Sequence, residues 1–396
     1  MKVLILHQHF KSPYHGGAIR SYYLAKALVD KGHSVKVITG ANINKYQSEH
    51  IDGIEVHFLP VLYENRFKFI RRTYSFLTFV AGIIRRPLLY KDVDMVYTIS
   101  VPLTIGIASM WIKKIYKIPY VFEVGDLWPE APIELGFVRN YILKKILFAL
   151  EKTIYTKSAC IVALSPAIKD GIEKRIRSKK IHLIPNMSDT CFYKPSNKLA
   201  ELEKKYDVKN KFVVSYIGAI GLANGLDYFL QCAKVSQPLP LKFLLCGDGA
   251  MLEELRASAK RMKLENLAFI PFQNRDGVNE IMNVSDAVFI CYKPVPILET
   301  GSPNKYFDGL SAGKLIVLNF GGWIKEEVEK NKCGIYVDPH QPLTFLKEIE
   351  PFVANQDRLK AYQLSSRSLA ERFYSRKALS EKFVSLIERE VICSQA

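Results

Sequence analysis

The feature that most constrains this chain is a repeated alternation of short apolar runs, rich in β-branched residues, with longer stretches of helical period. The first series is VLILH (3–7), VKVIT (35–39), IEVHFL (54–59), MVYTIS (95–100), YVFEV (120–124), CIVAL (160–164) and IHLIP (181–185). Strands separated by helices close as parallel sheets with right-handed crossovers. The pattern pauses at MSDTCFYKPSN (187–197), a polar stretch without periodicity that reads as a linker. It resumes with FVVSYIG (212–218), LKFLLCG (241–247), NLAFIPF (266–272), AVFICY (287–292), LIVLNF (315–320) and GIYVD (334–338), and helices close the chain. The expected fold is α/β: two tandem Rossmann-like doubly wound domains, 1–190 and 191–375, with an interdomain cleft and a terminal helix over 376–396.

Composition narrows the function classes. With 396 residues, 48% hydrophobic and 24% charged, the chain is neither disordered nor fibrous. Its net charge of +17 calls for an acidic partner: nucleic acid, an anionic membrane or a phosphorylated substrate. The seven cysteines are scattered, with no CxxC and no paired His, which excludes a disulfide framework, speaks against a zinc module and fits a reducing cytoplasm. The opening MKVLILHQHF has an apolar run too short for a signal-peptide core. Met95 to Ile112 carries no charge, but Pro102 splits it into a strand and a helix rather than a membrane span.

The segment RFKFIRRTYSFLTFVAGIIRR (66–86) has an uncharged core, 73–84, too short to span a bilayer. Residues 61–90 hold six Lys/Arg (Arg66, Lys68, Arg71, Arg72, Arg85 and Arg86) against one acid, Glu64. Such a helix suits an anionic membrane surface; the plainer alternative is a core-packing helix with solvated cations.

Ligands of doubly wound sheets bind beyond the carboxyl ends of the strands. The turn His15-Gly16-Gly17-Ala18 follows the first strand and opens a helix, with Arg20 one turn in, and this suits a phosphate or pyrophosphate. A structural tight turn needs the same glycines. Gly218-Ala219-Ile220-Gly221 repeats the logic in the second unit; Leu222 and Asn224 follow without a cation, so a phosphate there would meet backbone N–H groups. Gly247-Asp248-Gly249 could let a base or ribose approach, or simply turn the chain. Glu299-Thr300-Gly301-Ser302-Pro303-Asn304-Lys305-Tyr306-Phe307-Asp308 enters a helix, with Pro303 fitting its first position. Lys305 in the first turn opposes the helix dipole and so answers a negative ligand, and Asp308 could accept from ribose hydroxyls. Glu123-Val124-Gly125-Asp126-Leu127-Trp128-Pro129-Glu130 puts acids and a Trp at a strand end, a sugar-binding or proton-handling edge. Asp92-Val93-Asp94 resembles a metal-binding DxD but lies at the amino end of its strand, away from any such site.

Together these stretches resemble the GT-B-fold, group 1 (family 4) glycosyltransferases, within them the bacterial surface-polysaccharide, fucosaminyltransferase-like branch. The likeness runs through YHGGAIRSYYLAKALVDKGHSVKVITG (14–40), FEVGDLWPE (122–130), IVALSPAIKDGI (161–172), IPNMSDTCFYKP (184–195), FVVSYIGAIGLANGL (212–226), LLCGDGAMLEEL (244–255) and SPNKYFDGLSAGKLIV (302–317). The resemblance implies transfer of a sugar from a nucleotide-diphosphate donor, UDP-linked, with retention of configuration, no metal and no cofactor beyond the donor. The acceptor implied is a polyprenyl-diphosphate-linked saccharide at the inner face of the inner membrane, with no nucleic acid as partner.

Donor-binding residues by this likeness are Gly16, Gly17, Arg20, Gly218, Gly221, Asn224, Gly247, Asp248, Gly249, Thr300, Gly301, Ser302, Asn304, Lys305 and Asp308. Asp126 and Glu299 take the catalytic positions, and Glu123, Trp128 and Glu130 stand on the acceptor side. The family's acidic pair is commonly eight apart; Thr300 is eight before Asp308 and Glu299 nine. Many relatives carry Arg where Leu222 and Gly125 stand, so diphosphate charge must be met elsewhere, by Lys305 or Arg20. The family's C-terminal helix returns to the first domain, as 377–393 could. Two other readings compete: a GT-B-like sugar-nucleotide epimerase, and a basic nucleic-acid binder.

Overall fold

A computed structural model gives the fold, described over residues 1–15, 19–64, 67–177 and 179–395. The chain divides into two compact units, Met1–Pro185 with Thr300–Ser302 and Lys377–Ala396, and Asn186–Glu299 with Pro303–Arg376. Each is a Rossmann-like α/β domain.

The first unit holds β1 (Lys2–Leu6), β2 (Ser34–Ala41), β3 (Gln47–Ile51), β4 (Ile54–Pro60), β5 (Met95–Ser100), β6 (Tyr120–Val124), β7 (Ile161–Ala163) and β8 (Ile181–Leu183). They form one sheet in the order β3-β4-β2-β1-β5-β6-β7-β8. All neighbours are parallel except β3, which runs antiparallel to β4. Every residue of β5 and β6 is buried, as in a sheet covered on both faces. The uncharged 95–112 stretch is β5 followed by the helix Ile105–Tyr116. Among the described residues no helix is long and apolar enough to cross a membrane. The helix Arg376–Gln395 buries Phe383, Val384, Leu386 and Ile387 in this unit, with Phe383 at 4.8 Å edge-on to Tyr97 of β5. Each such side chain contributes about 2 kcal/mol of burial.

The second unit holds β9 (Phe212–Ile217), β10 (Leu241–Cys246), β11 (Leu267–Ile270), β12 (Ala287–Ile290), β13 (Leu315–Leu318) and β14 (Gly334–Tyr336). The wholly parallel order is β11-β10-β9-β12-β13-β14. Phe229, Phe243 and Phe289 centre its core, with Phe229 edge-on to the other two at 5.3 and 5.5 Å. The 187–197 stretch is not a free linker. Ser188 bridges to Ser375, its N–H donates to Tyr374 O at 2.8 Å, and its hydroxyl donates to Phe307 O at 2.9 Å. A single bridge leaves no periodic trace in sequence.

Strand order reverses at β1, between β2 and β5, and at β9, between β10 and β12. Such reversals open a crevice at the carboxyl ends of the strands of each sheet.

Candidate active site

In the second unit the turns after β9 and β10 knit together. The N–H of Gly218 donates to Cys246 O at 3.0 Å, Ile220 N–H to Asp248 O at 2.9 Å, and Met251 N–H to Ile220 O at 3.1 Å. Gly247 has φ +149°, and a Cβ there would lie 1.9 Å from Gly218 O; one at Gly249 would lie 2.3 Å from Ile220 O. These two glycines are demanded by the neighbouring loop, as the chain-turning reading of the segment requires. Asp248 accepts from Gly249 N–H at 2.8 Å. Asn224, also expected to meet the donor, turns its side-chain oxygen inward to accept from Gly221 N–H at 3.2 Å.

Lys305 stands over this platform. It lies in the helix Asn304–Ser311, which Pro303 precedes as the extended cap residue rather than as its first position. The Lys305 ammonium donates to Tyr216 Oη at 2.7 Å and sits 4.0 Å from the Tyr216 ring centre and 5.7 Å from that of Tyr292. A Cβ on Gly218 would approach Lys305 Cε to 3.2 Å, so the glycine keeps this lane open. Among the described residues no carboxylate forms an ion pair with Lys305. Burial lowers its pKa to about 7.

One turn on, Asp308 is half-buried, and its pKa is raised to about 7 by burial, with Arg275 lowering it and Asp189 adding to the rise. Sequence reasoning missed Arg275. Its guanidinium lies 3.7 Å from the Phe192 ring centre and donates to Asp189, which also accepts from Arg376 at 2.7 Å. Position at the amino end of the helix Arg275–Val284 was the available signal. Asn304 is exposed and Ser302 buried. Glu299 accepts from Gly321 N–H at 3.2 Å, ahead of the helix Trp323–Lys330. Thr300, Gly301 and Ser302 cluster with the first unit, where Thr300 O accepts from Ser165 Oγ at 2.5 Å.

In the first unit, Gly16, Gly17 and Arg66 lie outside the described residues. Arg20 and Glu123, expected to serve phosphate and acceptor respectively, bind each other instead. Arg20 Nη2 meets Glu123 Oε2 at 2.9 Å, with side-chain exposures of 8% and 1%. Two more of its donors reach Ile184 O at 2.9 Å and Pro185 O at 2.5 Å, and Tyr97 Oη donates to Glu123. So dry a pair must be mutually neutralised, which removes both from ligand contact. Glu130 likewise pairs with Arg175, which also holds Glu151.

Asp126 and Trp128 remain open after β6. Asp126 is exposed, yet desolvation by surrounding protein raises its carboxyl above its ordinary value, and Trp128 is half-buried. At the end of β1, His7 Nδ1 lies 2.8 Å from Ser21 Oγ, and the His9 ring centre is 4.4 Å from that of Tyr63. Burial lowers their pKa values to about 3 and 4, so both are neutral at pH 7. The strand-end rule, applied to the first strand's side chains as well as to its glycine turn, would have found them.

The basic segment is the helix Phe69–Ile84. Phe76, Phe79, Val80 and Ile83 face the core, while Ile70, Tyr74 and Leu77 are 83%, 72% and 50% exposed. Lys68, Arg71 and Arg85 are exposed beside them, Arg72 is half-buried, and Arg86 covers the Tyr46 ring at 3.7 Å.

Comparison with known families decides the assignment. The Glycosyltransferase Family 4 model matches residues 14–191, and the Glycosyl transferases group 1 model matches residues 199–368. The chain is a GT-B glycosyltransferase of family 4. This glycosyltransferase is 26% identical over 180 residues to WcaI of Escherichia coli K12, a protein named for colanic acid biosynthesis, covering 44% of each chain. It spans about half the length of the curated relatives it matches. Solved structures that share its fold include sucrose-phosphate synthase of Thermosynechococcus elongatus (TM-score 0.79, 14% identity, 98% of each chain) and Anabaena HepE in complex with UDP-glucose (TM-score 0.74, 17% identity, 98% of this chain and 100% of that one).

Proposed function

We propose that this glycosyltransferase moves a sugar from a nucleotide-diphosphate sugar, UDP-linked, to a lipid-linked saccharide in bacterial surface-polysaccharide (O-antigen or capsule) assembly. The configuration at the anomeric carbon is retained, and no metal is required. The observation that carries the reading is Lys305: an ammonium that no carboxylate pairs among the described residues, laid over the Gly218 turn at the strand-order reversal, with Asp308 one helical turn away. The colanic acid biosynthesis for which WcaI is named and the UDP-glucose bound to HepE support the substrate class.

In this reading Lys305 and the backbone N–H groups around 218–221 meet the charge that builds on the diphosphate as it leaves. Each well-placed donor contributes roughly 3–4 kcal/mol to such a step. The bond from the anomeric carbon to the phosphate oxygen breaks, and the bond to the acceptor oxygen forms on the same face. The acceptor proton passes to a phosphate oxygen of the leaving group. Asp308 accepts from ribose hydroxyls, Glu299 orients the donor sugar, and Asp126 with Trp128 orients the acceptor. The exposed Ile70, Tyr74 and Leu77, rimmed by Lys68, Arg71 and Arg85, hold the enzyme at an anionic membrane surface, on the cytoplasmic face of the inner membrane. The branch is the fucosaminyltransferase-like one.

A panel of nucleotide sugars tested by thermal shift identifies the donor, because a ligand that binds the folded state raises its Tm. Product analysis with a polyprenyl-diphosphate saccharide follows. A new glycosidic linkage supports transfer, whereas a donor epimerised without acceptor would establish the epimerase reading. A chain that no nucleotide sugar stabilises would overturn both.

A further inference from the structure

We infer that the first unit carries a structural site for a thiophilic divalent cation, of the zinc class, built from Cys160, His182 and Glu390. The inference is independent of the sugar-transfer reading. Side chains alternate across a strand, so Cys160 shares a face with Val162, two residues on. Val162 of β7 pairs with His182 of β8, which places Cys160 and His182 on the same side of the sheet. The helix Arg376–Gln395 supplies Glu390 to the same place. One donor atom from each of the three lies within 4.8 Å of the others.

The trio is poorly satisfied without an ion. Cys160 is fully buried and Glu390 is 7% exposed. Among the described residues the buried Nε2 of His182 has no hydrogen-bond partner. Glu390 meets Lys180 Nζ and Arg389 Nε only at 3.8 Å, beyond hydrogen-bond reach. Buried polar atoms left in this state call for an ion or a water. Thiolate, imidazole and carboxylate form a donor set suited to zinc, with a fourth position for water. Zinc bonds of 2.0–2.3 Å put tetrahedral donors roughly 3.5 Å apart, so the trio closes by about 1 Å of side-chain motion. Thiolate and carboxylate together neutralise a dication. The cations facing the trio (Lys180, Arg389, Lys382, Lys169 and Lys179) stand outside that balance and oppose it. Thiol ligation releases the Cys160 proton to solvent, so affinity falls with acidification. The ion would clasp the terminal helix to the β7–β8 edge.

The test uses the full chain with the exposed thiols Cys191 and Cys393 replaced by Ser, removing adventitious sites. Cobalt(II) titration should give a thiolate-to-metal charge-transfer band saturating at one equivalent, zinc should bleach it, and zinc should raise Tm while EDTA reverses the gain. Cys160→Ser should abolish the band. His182→Gln and Glu390→Gln should weaken cobalt binding by about tenfold or more, and they keep the test decisive if the Cys160 variant does not fold. A titration without a charge-transfer band, a band that survives Cys160→Ser, or affinity unchanged in both other variants overturns the site.

Discussion

The Lys305 ammonium rests on the face of Tyr216 while donating to the same residue's phenol oxygen at 2.7 Å. Tyr216 belongs to the strand at which sheet order reverses, and Lys305 to the helix that leaves the next strand, β12. The ammonium is therefore held by an uncharged partner, so that its protonated form faces an incoming anion without an internal counter-charge.

Lys305→Met should lower kcat/KM for the donor by about 100-fold or more, the scale of losing one electrostatic contact. The ammonium is the acid form, and its pKa is about 7. Donor kcat/KM should then fall as pH rises above 7. Lys305→Arg should keep a flat profile to higher pH, because guanidinium stays charged. Tyr216 and Cys291 also face this site, and burial raises both, so that phenol and thiol remain neutral over that range. Superimposable pH profiles of wild type and Arg variant would exclude the role.

Asp308→Ala should raise donor KM by about tenfold with a smaller change in kcat, read from initial rates. Asp308 also marks stability. Its pKa rises from 3.8 to about 7 on folding. Between those values the native state binds more protons, so the contribution is complete below pH 3.8 and is lost as pH climbs through 7. Urea midpoints at pH 5, 6 and 7 should decline less steeply in Asp308→Asn than in wild type.

Gly247→Ala should cost about 2–4 kcal/mol in chemical denaturation, because its φ of +149° is strained for alanine and its Cβ would meet Gly218 O at 1.9 Å. Gly136→Ala provides a contrast: φ is again positive, +79°, but the nearest atom is the end of Arg139 at 3.9 Å, and the loss should be nearer 1 kcal/mol.

Arg20→Met should destabilise the first unit by about 3–5 kcal/mol, since it strands the buried Glu123 carboxylate. Adding Glu123→Gln should recover part of that loss in the same unfolding assay. If the two losses add without recovery, the pair is not coupled.

Arg71→Glu with Arg85→Glu should reduce flotation on phosphatidylglycerol vesicles by about tenfold or more, each cation near an anionic surface being worth about 1 kcal/mol. Vesicles of phosphatidylcholine should bind both forms weakly and equally.

Two wholly buried strands were legible to the residue: MVYTIS and YVFEV coincide with β5 and β6, whereas AVFICY and LIVLNF overran β12 and β13 by two residues each. Strand β3 was not, because Gln47–Ile51 is a polar edge with almost no buried side chain. Its trace was the Asp52-Gly53 turn, whose φ values of 51° and 86° match the hairpin geometry that Asp-Gly favours. The donor-side residues were found by position at strand ends. Whether each faces a ligand or a neighbour was not legible, because Arg20 meets Glu123 across 103 positions and Gly247 is fixed by a loop 29 residues earlier. Pairings over such distances leave no spacing to read.

The helix Arg376–Gln395 completes the first unit although its residues are translated after the whole of the second. During synthesis, Tyr97 and the β5 face await Phe383 while the later-encoded sheet can already close. The unit whose strands come first in the chain is thus the last to be sealed.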